Sequence, residues 1–219
     1  MIRFEGLTKQ FRLPGQTKTL LAPTSLAIPT GRAVALLGRN GAGKSTLLKM
    51  IAGTMDPSGG RVRSSGTVSW PVGFAGAFHP DLSGAQNTRF LARVYGVDTS
   101  ALSQFVEAFS ELGPHFRAPF RTYSAGMKAR LGFGVSMGIP FDTYLVDEVT
   151  AVGDAAFREK SIWLLKARLN AAGAIVVSHS MGQLRALCDS ALVLEKGKLT
   201  YTQDLEAAIA LHEAQMHAA

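Results

Sequence analysis

The sequence predicts an α/β fold in which parallel strands joined by helices carry a phosphate-binding loop, with a helical lobe inserted between two strand-bearing parts. Three observations predict it. The continuous apolar run Ala33 to Leu37 ends on the glycine-rich stretch Gly38-Arg39-Asn40-Gly41-Ala42-Gly43-Lys44-Ser45-Thr46 and is followed by a helical pattern. Strand-like runs return at Tyr144 to Glu148 and Ala174 to Ser178, with a helical stretch over about 155–171 between them. From about residue 80 to 138 the pattern is helical instead.

Taken in order, residues 1–37 read as short strand-like runs separated by turns, with Ser25-Leu26-Ala27-Ile28 leading through Pro29-Thr30-Gly31 into the apolar strand. Lys44 to Gly53 reads as a helix: Leu47, Leu48 and Ile51 share a face and Gly53 stops it. In the lobe, helical runs near Ala85 to Tyr95, Leu102 to Leu112 and Ala125 to Met137 are punctuated by Gly96, Gly113-Pro114 and Pro119. Leu192 to Tyr201 reads as a hairpin turning at Lys196-Gly197, and Asp204 to His217 as a terminal helix. The expected organisation is one domain over 1–219, with a core of 1–79 and 139–219 and a helical lobe of 80–138.

At 219 residues and 47% hydrophobic, the chain can bury one sizeable core. Pro140 and Asp142 interrupt its longest apolar stretch short of the roughly 18 residues a membrane helix needs. The start, Met1-Ile2-Arg3-Phe4-Glu5, lacks the layout of a secretory signal, so a cytoplasmic location is expected. The single cysteine, Cys188, reads as a buried apolar residue. Net charge is +7 (23 Lys and Arg against 16 Asp and Glu), but the basic residues are scattered, so a solvated face is expected and nucleic acid is not.

The chemistry sits in four places. Gly38 to Ser45 fill the pattern glycine, four residues, glycine, lysine, serine, in which small residues let backbone N–H groups curl around phosphate oxygens. Lys44 supplies a charge to the β- and γ-phosphates, and Ser45 a hydroxyl to Mg²⁺. Asp147 and Glu148 end a strand and point to opposite sides, which suits Asp147 to the metal and Glu148 to the attacking water. His179 leaves a buried strand where open α/β sheets place ligand-contacting residues. Tyr123-Ser124-Ala125-Gly126-Met127 opens a helix, with Ser124 as N-cap and Gly126 leaving the first turn open to an anion.

In this order the motifs Gly38 to Thr46, Tyr123 to Met127, Leu145 to Glu148, Ala151-Val152-Gly153-Asp154 and His179 resemble those of an ABC-transporter ATP-binding subunit, over essentially the whole chain. The resemblance implies a P-loop NTPase core with an antiparallel β-subdomain and an inserted helical lobe, binding ATP and Mg²⁺. Against the family signature leucine, serine, glycine, glycine, glutamine, Ser124 and Gly126 match while Tyr123, Ala125 and Met127 depart. Asp154 falls at the D-loop aspartate. Phe11 stands where an aromatic ring stacks on adenine, although it equally suits a core position. No glutamine occupies the usual glutamine-loop junction, which reads Trp70-Pro71-Val72-Gly73 onward, and Gln86 comes too late.

That junction, the tyrosine-led signature and Val149 to Asp154 are similar to the ATP-binding subunits of capsular-polysaccharide exporters and of their O-antigen and teichoic-acid relatives. The chain ends within about 20 residues of its last hairpin, too few for an added carbohydrate-binding domain. The resemblance implies a homodimer in which Ser124 and Gly126 of one copy close over ATP held by the other. It also implies separate membrane-spanning permease subunits, a peripheral place on the cytoplasmic face of the membrane, and a polysaccharide cargo the ATPase need not touch. A soluble ATPase acting on nucleic acid or the ribosome, and a regulatory subunit that binds ATP without hydrolysing it, are the rival readings.

Overall fold

The computed structural model describes residues 1–73, 75–147 and 154–217. Contacts divide the chain into two compact units: Met1–Pro71 with Phe141–Val149 and Leu169–Ala219, and Val72–Pro140 with Thr150–Arg168.

The first unit holds two sheets. Strands β1 (Ile2–Leu13), β2 (Gln16–Ile28) and, later in the chain, β4 (Gly59–Ser64) form an antiparallel sheet in the order β2-β1-β4. Here the expectation of short runs is corrected: β1 and β2 are 12 and 13 residues long, turning at Pro14-Gly15. Register shifts between Phe4 and Gln10 break the alternation that would have marked one long strand. Strand β4 reads poorly from sequence because it opens on two glycines and carries two exposed arginines.

The second sheet joins β3 (Ala33–Leu37), β5 (Val68–Pro71), β6 (Thr143–Asp147), β7 (Gly173–Val177), β8 (Ser190–Glu195) and β9 (Lys198–Thr202) in the order β5-β6-β7-β3-β8-β9. All neighbours run parallel except β8 and β9, which form a hairpin. The turn falls on Lys196 and Gly197, both at positive φ (47° and 80°), as a tight two-residue hairpin turn demands. Strands β3 and β7 are continuous apolar runs because they are covered on both faces. Helix α1 (Lys44–Ile51) follows β3 and buries Leu47, Leu48, Met50 and Ile51 against a core that includes Val34, Leu145, Ile175 and Leu192. Thr67 closes the β5 end: its N–H and hydroxyl donate to the Asp142 carboxylate at 2.7 and 2.8 Å, holding that carboxyl below its usual range.

The second unit is helical: α2 (Gly84–Val94), α3 (Thr99–Ser110), α4 (Ala125–Gly138) and most of α5 (Ala155–Ala171). A full capping box at Ser83 and Gln86 starts α2, and Asp98 caps α3 through the Ala101 N–H at 2.6 Å. Three of the four glycines in α4, Gly132, Gly134 and Gly138, permit close packing. A Cβ on Gly138 would lie 2.4 Å from Leu102, and one on Gly132 would lie 2.9 Å from the Gly73 carbonyl oxygen. Phe109 anchors this unit's core, stacked on Phe105 and Phe133 and edge-on to Phe157.

The remaining helices are α6 (Met181–Leu187), capped by Ser180, and α7 (Leu205–His217). Among the described residues, no helix is long and apolar enough to cross a membrane. Cys188 is half-buried rather than fully buried, and burial pushes its thiol up to about 12, so it stays protonated and a poor nucleophile at neutral pH.

Candidate functional site

The site is built at the carboxyl ends of three adjacent parallel strands. Val146 of β6 pairs with Val176 of β7, which pairs with Ala35 of β3, so Asp147, His179 and the loop after Leu37 emerge side by side. Open α/β sheets bind ligands at this edge, where the connecting loops separate. A cavity of about 320 Å³ lies there, lined by Leu20, Asn40, Gly41, Gly43, Lys44, Ser45, Thr46, Asp147, Val177 and His179.

Loop geometry follows from its glycines. Gly41 and Gly43 lie at φ 76° and 109°, a left-handed region closed to most side chains. Gly43 caps α1 with no side-chain hydrogen bond, and the first turn of α1 carries no acidic residue. The first turn's N–H groups and the positive end of the helix therefore suit an anion. At Gly38 the constraint is crowding, because an added Cβ would sit 2.6 Å from the Leu194 carbonyl oxygen. The Lys44 ammonium donates to the carbonyls of Gly38 at 2.6 Å and Arg39 at 3.2 Å, which ties it to the loop it serves.

Ser45 and Asp147 share the cavity lining, and their hydroxyl and carboxylate oxygens are the hard donors Mg²⁺ prefers. No group of three or more His, Cys, Asp or Glu able to hold a metal occurs among the described residues. The donor set therefore fits an ion that takes its other oxygens from phosphate and water.

The remaining candidate residues divide. Gly38, Arg39 and Ala42 line a separate cavity of about 260 Å³ with Leu194, Glu195, Lys196 and Gln215. Phe11 does not line the phosphate-loop cavity; it is 37% exposed, with the Lys9 ammonium 5.3 Å from its ring centroid. Glu148 lies outside the described residues, as do Ala151, Val152 and Gly153.

In the second unit, Ser124 caps α4, its hydroxyl accepting from the Met127 N–H at 3.2 Å. Ser124, Ala125 and Gly126 are exposed and Met127 is half-buried. Tyr123 behaves differently: its ring is buried, its hydroxyl donates to the His115 carbonyl at 2.6 Å, and burial raises its pKa. It anchors the turn from below instead of facing a ligand. Gly84 accommodates it, since a Cβ there would come within 2.4 Å of the tyrosine oxygen. Asp154 caps α5 by accepting from the Phe157 N–H at 2.9 Å.

Sequence reasoning missed Leu20 and Val177 in the lining and His212 nearby. Leu20 lies against the loop, where a Cβ on Gly43 would meet its side chain at 2.4–2.9 Å. His212 is 8% exposed on α7, its pKa lowered by burial and then by the Lys44 charge. Val177 ends an apolar strand and could have been suggested by its place beside His179. Leu20 and His212 left no signal, because long-range packing brings them here.

The profile of the family described as ABC transporter matches residues 21–151. The chain is 45% identical to the polysialic acid transport ATP-binding protein KpsT of Escherichia coli, over 95% of both chains. It is 41% identical to the capsule polysaccharide export ATP-binding protein CtrD of Neisseria meningitidis, over 95% of this chain and 96% of that one. It is also 36% identical to the O-antigen export system ATP-binding protein RfbB of Klebsiella pneumoniae, over 93% of this chain and 85% of that one. Among solved structures, its fold matches a dimeric post-hydrolysis state of the ATP-binding cassette MJ0796 bound to ADP and phosphate. That match has a TM-score of 0.77 at 20% identity and covers 93% of this chain and 98% of that one. The chain belongs to the ABC transporter family, and its fold is that of an ATP-binding cassette. Within that family it is an ATPase subunit whose similarity runs highest, in the relatives named here, to capsule and polysialic acid export proteins.

Proposed function

We propose that this chain hydrolyses ATP to drive export of capsular polysaccharide across the cytoplasmic membrane. The observation that carries the reading is the shared lining of one cavity by Lys44, Ser45, Asp147 and His179. Full-length similarity to capsule-export relatives, over 95–96% of their length against 85% for the Klebsiella O-antigen relative, supports capsule as the cargo class.

Gly38 to Thr46 bind the triphosphate: backbone N–H groups of the loop and the start of α1 take its oxygens, and the Lys44 ammonium offsets charge on the transferring phosphoryl group. Mg²⁺, held by Ser45 and Asp147, supplies further charge stabilisation when bound with nucleotide. Glu148 takes a proton from the attacking water or orients it, and His179 at the exit of β7 contacts the γ-phosphate. Water attacks the γ-phosphorus, the bond to the β-phosphate oxygen breaks, and ADP and phosphate leave.

Exposed Ser124 and Gly126 act on the nucleotide of a second copy, and Asp154 joins them at the dimer interface. The site is then completed only when two copies close on ATP, and hydrolysis lets them part. Permease subunits spanning the membrane take up this motion, and the chain works as a peripheral subunit on the cytoplasmic face. The test is reconstitution with such permease subunits: ATP-dependent movement of capsular polymer is the expected result. ATP turnover without polymer movement, or movement of O-antigen alone, would replace the capsule assignment.

A further inference from the structure

Arg130 of helix α4 is held close against the protein. The Arg130 side chain is only 18% exposed, whereas the two carboxylates it reaches, Asp154 and Glu111, are 67% and 51% exposed. Its guanidinium lies 4.3 Å from the Phe157 ring centroid, donates to Asp154 Oδ2 at 3.1 Å and sits 3.5 Å from Glu111 Oε2. Asp154 is thereby used twice, one oxygen capping Phe157 and the other receiving Arg130. Lys160 completes the set from α5, donating to Glu111 Oε1 at 2.7 Å.

Pairs this exposed contribute little to stability. What the arrangement supplies is geometry, because a planar, forked cation that stacks on an aromatic ring and bonds a carboxylate fixes the orientation of both. Arg130 lies six residues after Ser124, which caps its helix; two of its partners, Asp154 and Phe157, open α5, and the third, Glu111, ends α3. Lysine in its place would keep the charge and lose the fork and the stacking.

We propose that Arg130 is a positioning residue that holds the Ser124-to-Met127 turn and Asp154 as one body, so that both meet the partner's nucleotide together. This rests on the reading of a nucleotide shared between two copies. It predicts that Arg130 contributes nothing to ATP binding by a chain's own loop and acts only once two copies close.

The experiment uses the full chain and three readouts: affinity for a fluorescent ATP analogue, steady-state ATPase kinetics, and ATP-driven dimerisation by sedimentation in a Glu148→Gln background. For Arg130→Ala, and less severely for Arg130→Lys, the analogue's affinity and KM are expected to stay within about twofold while kcat falls about tenfold or more, and the ATP-bound dimer weakens by a similar factor. Asp154→Asn is expected to cause a comparable loss that does not multiply with that of Arg130→Ala. Retained analogue affinity establishes that each variant is folded. If Arg130→Ala dimerises and turns over as the parent does, or if the two losses multiply independently, the positioning role is wrong while the shared site stands. If Glu148→Gln itself gives no ATP-dependent dimer, the shared site fails and the role of Arg130 falls with it.

Discussion

At Gly38 the chain's own atoms leave no room for a methyl group, since a Cβ would meet the Leu194 carbonyl at 2.6 Å, and at Gly43 it would run into Leu20 from a left-handed backbone. At Gly126, by contrast, a Cβ would meet nothing among the described residues nearer than the Ser124 hydroxyl at 3.9 Å, and the residue sits in the first turn of a helix. Glycine in a helix interior costs up to about 1 kcal/mol relative to alanine, and no close contact among the described residues requires it at Gly126. The phosphate loop's glycines answer to the fold that surrounds them. Gly126 meets no such internal constraint among the described residues, and its place against a second copy's nucleotide is the proposal that the following experiments test.

The largest expected effect removes the chemistry and leaves both glycine sites intact. Glu148→Gln is expected to keep ATP binding while lowering turnover by about 10²–10⁴-fold and accumulating a closed dimer, as measured by steady-state hydrolysis and sedimentation. Normal turnover would remove Glu148 from the reaction and leave the two sites without their proposed common purpose.

Gly38→Ala tests the internal constraint directly. Forcing a methyl group against backbone is expected to destabilise the chain by about 1–3 kcal/mol and to weaken nucleotide binding, read by denaturant melts and a fluorescent nucleotide. Gly126→Ala tests the external one. Stability is expected to hold or rise by up to about 1 kcal/mol, with nucleotide binding to isolated chains unchanged and turnover reduced roughly tenfold. An active Gly126→Ala enzyme would end the contrast between the two sites. Tyr123→Phe sharpens it with the smallest effect: losing the bond to the His115 carbonyl is expected to cost about 1 kcal/mol of stability, with turnover changed less than twofold. A loss of turnover as large as that of Gly126→Ala would mean that Tyr123 does more than anchor the turn.

Much of this architecture is legible along the chain. Ala33–Leu37, Ala155–Ala171 and the turn at Lys196-Gly197 fall where pattern and turn chemistry put them. Short elements were not. Strand β4 pairs with β1 across more than fifty residues of sequence, and α6 is a seven-residue helix with little periodicity to detect. Strands β1 and β2 looked fragmented because their bulges shift the alternation, although they pair from end to end.

The sequence by itself determined the residues of the phosphate loop and the strand-end placement of Asp147 and His179, because glycine-rich turns, apolar strands and exit residues are local patterns. Only the tertiary structure decided that Asp147, His179 and Leu20 share a cavity with that loop, since this depends on β6, β7 and β3 pairing in a non-sequential order. The same is true of Tyr123, whose burial separates it from its exposed neighbours, and of Arg130, whose partners lie about twenty residues away on either side. Packing, which periodicity along one element does not encode, brings such groups together.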